Sequence, residues 1–163
     1  MAECALNIAA EQVVEYSATG FLIERMGNRA AWAAPQNIYA TRGDDQWVAL
    51  SIETDQQWQQ LKQALGNADW AADSRFDSLA GRRAAQDEID RHLQTFFAEQ
   101  TAQQAVDTLW PLGIPVAPVV ESWAANELLQ VQQRGFYHSV THALLGTLNA
   151  VPGLPFSMSG HSN

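Results

Sequence analysis

The sequence of 163 residues has little positive charge and almost no cysteine. Lys62 is its only lysine, the other basic residues are arginines, and the formal net charge is −9. An acidic chain is poorly suited to bind a nucleic-acid backbone or an anionic membrane surface, so neither is expected as a partner. Cys4 is the only cysteine, which excludes an intramolecular disulfide and a cysteine-rich metal site. We expect its thiol to be buried or without a role.

Long apolar runs are also missing. No stretch approaches the roughly 18 residues that a membrane-spanning helix needs. The first twenty residues carry Glu3, Glu11 and Glu15 and no early basic cluster, so they do not resemble a secretory signal. A cytoplasmic protein is therefore expected. Hydrophobic residues still make up 47% of the chain, with six Trp and six Phe, which is enough for one domain with a large core.

Common catalytic signatures are absent from the sequence. It contains no Gly-x-Ser-x-Gly, Ser-x-x-Lys, Walker-type or Gly-x-Gly-x-x-Gly motif. Asp44 and Asp45 lie beside a glycine in a predicted turn, where aspartates commonly make local hydrogen bonds, so a structural role is favoured over acid–base chemistry or cation binding. His138 and His142 lie in a predicted strand, where residues four apart are too distant to share a metal ion easily.

Hydrophobic periodicity predicts a mixed order of helices and strands. Apolar residues at helical spacing predict a helix over residues 2–18. The following stretch, 21–36, has no clean period and is interpreted as a connector. Strands are predicted at 37–41 and 46–52, joined by a turn around Gly43.

Two capping boxes mark helix starts further along the chain. Thr54 and Gln57 form the first, and Thr101 and Gln104 form the second. Between these two helices, an apolar stripe predicts one long helix over 79–99.

The last third of the chain is predicted to contain short strands and one helix. An edge strand is predicted at 116–120, a helix over 123–133 capped by Ser122, and strands at 136–141 and 147–151. The order of elements lacks the alternation typical of a doubly wound parallel sheet. The predicted fold class is α+β, a small antiparallel or mixed sheet covered by helices and preceded by an N-terminal helix.

The tryptophans and the first helix carry specific burial predictions. Trp47 and Trp58 fall on predicted buried faces, whereas no periodicity buries Trp32. The apolar arc of helix 2–18 is broader than one side of packing needs, which favours contact with another molecule. The alternative is that this helix packs back onto its own domain. The arc consists of Leu6, Ile8, Ala9, Ala10, Val13 and Val14.

A set of short motifs runs along the chain in a fixed order. They are Arg25-x-Gly27-Asn28, Pro35-x-x-x-Tyr39, Gly43-Asp44-Asp45-x-Trp47, Trp58-x-x-Leu61, Asp73-x-Arg75-Phe76-x5-Arg82, Gly113-Ile114-Pro115-x-x-Pro118-Val119, Gly135-Phe136 and Pro155-Phe156-x-x-Ser159-Gly160. Over nearly the whole chain this ordered set resembles the small-domain segment of the family III CoA-transferases. That family includes formyl-CoA, carnitine and bile-acid CoA-transferases and acyl-CoA racemases.

The resemblance implies an enzyme that moves CoA between carboxylic acids, or that epimerises an acyl-CoA. Members of the family use an aspartate nucleophile in a larger domain, and no part of this sequence matches that domain. We therefore expect an isolated or truncated small domain that is inactive alone and works with a large-domain partner or as a homo-oligomer, most simply a dimer. The alternative is a free-standing binding or assembly module that has kept the fold. No cofactor is expected for this chain itself; CoA or acyl-CoA belongs to the intact family.

The resemblance also sets the expected domain boundaries. Residues 1–20 correspond to the helix at the end of the large-domain side, and 21–36 form the connector. Residues 37–160 correspond to the small domain, and 161–163 form a tail.

The strongest candidate site by resemblance begins at Gly27. In the family, the stretch after Gly-Asn-Arg borders the active site, and in formyl-CoA transferases it is a glycine-rich loop. Here alanines surround Trp32 at these positions; because alanine does not adopt positive φ cheaply, a stiffer loop is expected, which argues against formyl or oxalyl specificity. The alternative is that Arg25 and Arg29 are structural and pair with nearby carboxylates. The residues implied to bind substrate are Gly27, Asn28, Arg29, Trp32, Pro35 and Gln36; no catalytic residue or metal ligand is assigned.

Overall fold

The computed structural model describes residues 2–154 and 156, which divide into two compact units, Met1–Pro118 and Val119–Asn163. The predicted tail and the Ser159-Gly160 end of the last motif lie outside the described residues. No helix within the described part of the chain is both long and apolar enough to cross a membrane.

The first unit combines six α-helices with three strands. Its elements are α1 (Ala2–Ile8), α2 (Ala10–Thr19), β1 (Gln36–Ala40), β2 (Trp47–Ser51), α3 (Asp55–Ala64), α4 (Leu79–Ala84), α5 (Gln86–Ala98), α6 (Ala102–Leu109) and β3 (Val116–Pro118). Short 3-10 turns lie at Asp69–Ala72, Ser74–Phe76 and Trp110–Leu112. The predicted α+β class is therefore confirmed.

The three strands form one antiparallel sheet in the order β1-β2-β3. Tyr39 pairs with Val48 and Leu50 pairs with Val116, so β2 is central and β3 lies at an edge, as predicted. The face of β2 that carries Val48 and Leu50 is buried against the helices, where apolar area contributes most to stability. The core around it consists of Tyr39, Ile52, Trp58, Leu61, Ala71, Phe76, Ile89, Leu93, Phe97, Ala105, Leu109, Ile114 and Val116.

Both predicted capping boxes are present. The hydroxyl of Thr54 accepts from the backbone N–H of Gln57, and Oε1 of Gln57 accepts in return from the N–H of Thr54. Thr101 and Gln104 exchange the same pair of bonds at the start of α6. These bonds satisfy amide groups that the first turn of a helix leaves unpaired.

Two helices that the sequence predicts as continuous are interrupted at an alanine. In place of one helix over 2–18, the structure has α1 and α2, separated by Ala9 at φ −84° and ψ 0°. The prediction over 79–99 gives way to α4 and α5, with Ala85 at φ −108° and ψ 18°. Alanine favours helix, so the sequence carries no local signal for either break. At the second break, Arg82 and Gln86 donate to the backbone carbonyls of Ala34 and Gln36, and these long-range bonds outweigh the local preference.

The prediction that Trp47 is buried is wrong. Its side chain lies on the face of β2 opposite Val48, the residue is 39% exposed, and its indole Nε1 donates to Oδ1 of Asp45 at 2.7 Å. Trp58 is fully buried as predicted, and Trp32 is 62% exposed. Cys4 is also exposed, so its thiol is not buried; the other alternative, a thiol without a role, stays a prediction.

The second unit contains a hairpin and a short helix. Its elements are a 3-10 turn at Ala125–Glu127, α7 (Leu129–Gln133), β4 (Tyr137–His142) and β5 (Gly146–Pro152), with β4 and β5 antiparallel. The predicted helix over 123–133 is too long, and Ser122 does not cap it. Leu128, which has an extended backbone, precedes the helical residues and supplies no capping side chain. At the hairpin turn, Nδ1 of His142 accepts from the backbone N–H groups of Leu144 and Leu145.

Candidate substrate-binding groove

The connector before β1 is attached to the sheet through its backbone. Ala34 donates to the carbonyl of Ile52, and Ile52 donates to the carbonyl of Pro35, both at 2.9 Å. Pro35 is buried by this pairing. The segment that ends in Pro35 therefore adds to the sheet beside the end of β2.

A buried arginine of α4 also binds this segment. Arg82 is fully buried, and its Nε donates to the carbonyl of Ala34 at 2.7 Å. Its other nitrogens donate to the carbonyl of Phe76 and to Oδ1 of Asp55, at 3.0 and 2.9 Å. The guanidinium also lies 5.6 Å from the centroid of the Trp58 ring, within range of a cation–π contact. The spacing between Phe76 and Arg82 in the motif thus places Arg82 where it anchors these segments.

Asp90 of α5 organises the side chains near the start of β1. Its Oδ2 accepts from Arg29 and from the side-chain amide of Asn37, both at 3.0 Å, and its Oδ1 accepts from the hydroxyl of Tyr39 at 2.7 Å. Arg29 also forms an ion pair with Asp87. The structural alternative for Arg29, pairing with nearby carboxylates, is therefore what the structure shows.

The charges of this cluster shift the pKa values of its members. The hydrogen bond that Arg29 donates to Asp87 is the largest cause of the raised pKa of Arg29, and the same bond lowers the pKa of Asp87. Burial, followed by the negative charge of Asp90, raises the pKa of the Tyr39 hydroxyl far above its ordinary range. Tyr39 therefore remains a protonated donor to Asp90 and cannot serve as a base.

An open groove of about 550 Å³ lies between the connector and the exposed face of the sheet. Four of the six predicted site residues line it: Gly27, Asn28, Arg29 and Gln36. Its other lining residues are Asn37, Ile38, Ala49, Leu50, Ser51, Trp110, Pro115, Val116 and Ala117.

The other two predicted site residues lie elsewhere. Trp32 lines a separate cavity beside α2, and Pro35 is buried in its backbone pairing with Ile52. The geometry thus brings Gly27, Asn28, Arg29 and Gln36 together but leaves Trp32 outside the groove.

Amide side chains, with Arg29 and Ser51, make up the polar part of the groove. Nε2 of Gln36 donates to the carbonyl of Asn28 at 3.0 Å, and Nδ2 of Asn28 donates to Oδ1 of Asn37 at 3.2 Å. The hydroxyl of Ser51 donates to Oε1 of Gln36 at 3.2 Å. The residues lining the groove include no carboxylate, thiol or imidazole. The groove can therefore bind and orient a small polar molecule, but its own side chains offer no strong nucleophile.

The remaining candidate groups have local structural contacts. Asp45 occupies the left-handed region at φ 49° in the turn and accepts from Trp47, which agrees with the structural role expected for a turn aspartate. Among residues 2–154 and 156, no group of three or more His, Cys, Asp or Glu side chains could hold a metal ion.

Sequence reasoning did not identify Asp90 or Tyr39 as parts of this cluster. Asp87 and Asp90 are three residues apart and so share one face of α5, which is the signal that could have indicated them. Their partner Arg29 is about sixty positions away in sequence, and no periodicity connects it to α5.

This arrangement is an α+β domain with a binding groove beside its sheet. Residues 1–163 match the family model described as CoA-transferase family III, and the chain belongs to that family. The resemblance derived from the ordered motifs is confirmed.

Two curated relatives and one crystal structure illustrate the similarity. Succinyl-CoA--D-citramalate CoA-transferase of Chloroflexus aurantiacus is 31% identical over 127 residues, which is 78% of this chain and 31% of that protein. Acetyl-CoA:oxalate CoA-transferase of Acetobacter aceti is 26% identical over 148 residues, 91% of this chain and 36% of that protein. A CAIB/BAIF family protein from Brucella suis has the same fold at a TM-score of 0.80 and 21% identity, over 97% of this chain and 40% of that chain. The chain spans about a third of the length of these curated relatives.

Proposed function

We propose that this chain acts as the small domain of a family III CoA-transferase and binds the acid substrate. The observation that carries the proposal is the groove in which Gly27, Asn28, Arg29 and Gln36 meet the sheet. These are the positions that the family resemblance places at the border of the active site. CoA or acyl-CoA is the substrate of the whole enzyme, which works in the cytoplasm, and this chain needs no cofactor of its own.

The nucleophile comes from outside this chain. Asp90 accepts hydrogen bonds from two groove residues, Arg29 and Asn37, and from Tyr39. Both oxygens of this carboxylate are therefore engaged in structural hydrogen bonds, and Asp90 is not free to attack a substrate. In the family reaction, an aspartate oxygen attacks the acyl-CoA carbonyl carbon and CoA leaves as its thiolate, which attacks the aspartyl carbonyl of the mixed anhydride and releases the donor acid. The acceptor carboxylate then displaces CoA from the aspartyl thioester, and the thiolate attacks the acceptor carbonyl of the second anhydride and releases the aspartate. A large domain supplies that aspartate.

A domain exchange tests this role directly. The segment of the Chloroflexus aurantiacus enzyme that matches this chain is replaced by residues 1–163, and CoA exchange is followed by mass spectrometry with succinyl-CoA as donor and D-citramalate as acceptor. We expect the chimera to transfer CoA, whereas the 163-residue chain incubated alone does not. A chimera that is folded by circular dichroism but inactive with a panel of acids contradicts the proposal. Transfer by the isolated chain that survives repurification contradicts the inferred need for a second domain.

A second candidate, a binding or assembly module, is favoured by the exposed apolar residues of the first unit. No residue of α1 or α2 is buried, and Phe21, Leu22 and Trp32 are also more than half exposed. Exposed patches of this kind commonly mark interaction surfaces. This candidate predicts an oligomer with an inactive chimera, whereas the transferase proposal predicts an active one.

A further inference from the structure

Two arginines near the groove form no ion pair with the acidic residues that the structure describes. Arg25 of the connector and Arg83 of α4 take part in none of the ion pairs within residues 2–154 and 156. Both line a pocket of about 360 Å³ together with Arg29 and Gln86. The chain has only nine basic residues against eighteen acidic ones, so three arginines around one small pocket are a marked local concentration of positive charge.

The acidic side chains of α5 near this pocket are occupied by other arginines. Asp87 and Asp90 bind Arg29, and Glu88 binds Arg75 at 3.3 Å. No acidic residue lines the pocket. Arg25 and Arg83 therefore keep their guanidinium donors free for a ligand.

The start of α5 adds a second feature that favours an anion. This helix of 13 residues begins at Gln86, a lining residue, and its N-cap residue Ala85 supplies no capping side chain. The positive end of a helix dipole attracts anions, although Ala85 also ends α4 and its carbonyl already accepts from the amide of Glu88. Asp87 and Glu88 in the first turn also respond to this dipole, but both already bind arginines.

The neighbouring cavity indicates which anion fits. A cavity of about 770 Å³ shares Arg25 and Arg83 with the arginine pocket and has Phe21, Leu22 and Trp32 among its lining residues. Glu11, Glu15 and Glu24 also line it. These glutamates and the net charge of −9 disfavour a polyanion such as a diphosphate. A single carboxylate on a short hydrocarbon chain suits the site better, because its charge can pair with Arg25 and Arg83 and its hydrocarbon can contact the apolar lining residues.

We propose that Arg25 and Arg83 form a carboxylate-binding pocket that holds the second carboxylate of a dicarboxylic acid substrate. Arg29 lines both this pocket and the groove, so the two adjoin at this side chain. The identification of the ligand as the acid substrate rests on the proposed function, while the carboxylate pocket itself does not.

Titration of the isolated chain tests the pocket without any activity. Chain labelled with ¹⁵N at arginine is titrated with succinate, butyrate, butyramide and inorganic phosphate, and the Nε–H signals are followed by NMR. Succinate and butyrate are expected to shift the signals of Arg25 and Arg83, and neutral butyramide is not. Arg25→Gln and Arg83→Gln are each expected to weaken succinate binding about tenfold, because each removes a charged donor pair. Arg134→Gln in the second unit is the matched control and should bind succinate as the unaltered chain does.

The possible outcomes separate the pocket from the transferase role. Absence of shifts at millimolar succinate, equal binding by the Arg83→Gln variant, or tighter binding of phosphate than of succinate would overturn the pocket. In an active chimera, Arg83→Gln should raise the KM for a dicarboxylic acceptor several-fold more than it raises the KM for a monocarboxylic one. Succinate binding together with an inactive chimera would retain the pocket and remove the proposed function.

Discussion

Position 81 requires glycine because two backbone segments approach closely there. A Cβ placed on it would lie 1.8 Å from the carbonyl oxygen of Arg75 in the preceding 3-10 turn. The helix α4 can lie this near the turn only because position 81 has no side chain. The motif residues Arg75, Phe76 and Arg82 depend on this approach, since Arg82 donates to the carbonyl of Phe76.

Gly81→Ala is therefore expected to destabilise the chain. Overpacking costs about 1–3 kcal/mol, and the better helix propensity of alanine returns only about 1 kcal/mol. The measurement is urea denaturation followed by circular dichroism. Ala80→Gly at the neighbouring exposed position is the control, with a loss of about 1 kcal/mol from propensity alone. A Gly81→Ala chain as stable as the unaltered one would show that the turn and helix can separate freely.

The pair of Arg29 and Asp87 gives a prediction about acid stability. The hydrogen bond from Arg29 lowers the pKa of Asp87 in the folded state. Its stabilising contribution is thus complete above the unfolded pKa of about 3.9, and it is lost as the pH falls through the lower folded value. We expect Asp87→Asn to make the free energy of unfolding less dependent on pH below about 4, with a small effect because the carboxylate is exposed. Denaturation at pH 3, 4 and 6 checks this, and an unchanged pH dependence would contradict it.

At the scale of elements, Arg82 of α4 links the segment before β1, the 3-10 turn at Ser74–Phe76 and α3. It is fully buried and donates to Ala34, Phe76 and Asp55. Arg82→Lys keeps the charge but cannot make three separated bonds, because lysine has one nitrogen in place of a planar fork. We expect a loss of about 3 kcal/mol or more, as is typical when a buried charged network is broken.

The same substitution should also loosen the groove. Once Ala34 loses its donor, the amide signals of residues 27–36 are expected to exchange with solvent faster than those of α5 in hydrogen-exchange NMR. Arg91→Lys on the exposed side of α5 is the control and should have no effect on either. Unaltered exchange in residues 27–36 would mean that the backbone pairing with Ile52 alone holds the connector.

Elements with local chemical signals were predictable, and those fixed by distant contacts were not. The two capping boxes predict the starts of their helices because all their hydrogen bonds lie within four residues. They are formed by Thr54 with Gln57 and by Thr101 with Gln104. The break at Ala85 depends on bonds about fifty residues away, which no window of sequence contains.

The candidate site divides in the same way. Gly27, Asn28, Arg29 and Gln36 were predicted because their order along the chain is a family pattern. Asp90 joins this cluster only after α5 packs beside β1. Trp32 was included by its position in that pattern, yet the fold turns it to a different cavity.

At the scale of the whole molecule, net charge governs the interaction with free CoA. The charge of −9 repels a ligand with several phosphates, and the arginine pocket adjoins three glutamates. We expect the isolated chain to bind CoA only weakly, with a dissociation constant well above the micromolar range. Calorimetry at low salt is the appropriate measurement because electrostatic interactions are least screened there. Micromolar binding would show that this chain carries a phosphate site of its own.

The exposed N-terminal helices lead to the last prediction, which concerns self-association. None of the residues of α1 and α2 is buried, and Leu6, Ile8, Val13 and Val14 are each more than half exposed, so these helices do not pack back onto the core of the first unit. Covering a few hundred Å² of apolar surface at roughly 25 cal/mol per Å² yields several kcal/mol before the costs of association. Closed two-fold dimers are the commonest oligomers. We therefore expect the chain to be a homodimer at tens of micromolar, with α1 and α2 at or near the contact.

Light scattering of three chains decides this point. Val13→Asp places a charge on the exposed apolar face and should yield a folded monomer, because Val13 contributes nothing to the core of its own unit. Gln12→Asp introduces the same charge at the neighbouring exposed polar position and should remain a dimer. A monomeric unaltered chain would refute the self-association. A Val13→Asp chain that loses its circular dichroism signal while still dimeric would instead place Val13 inside the fold, and the helices would then stabilise the domain rather than join two copies of it.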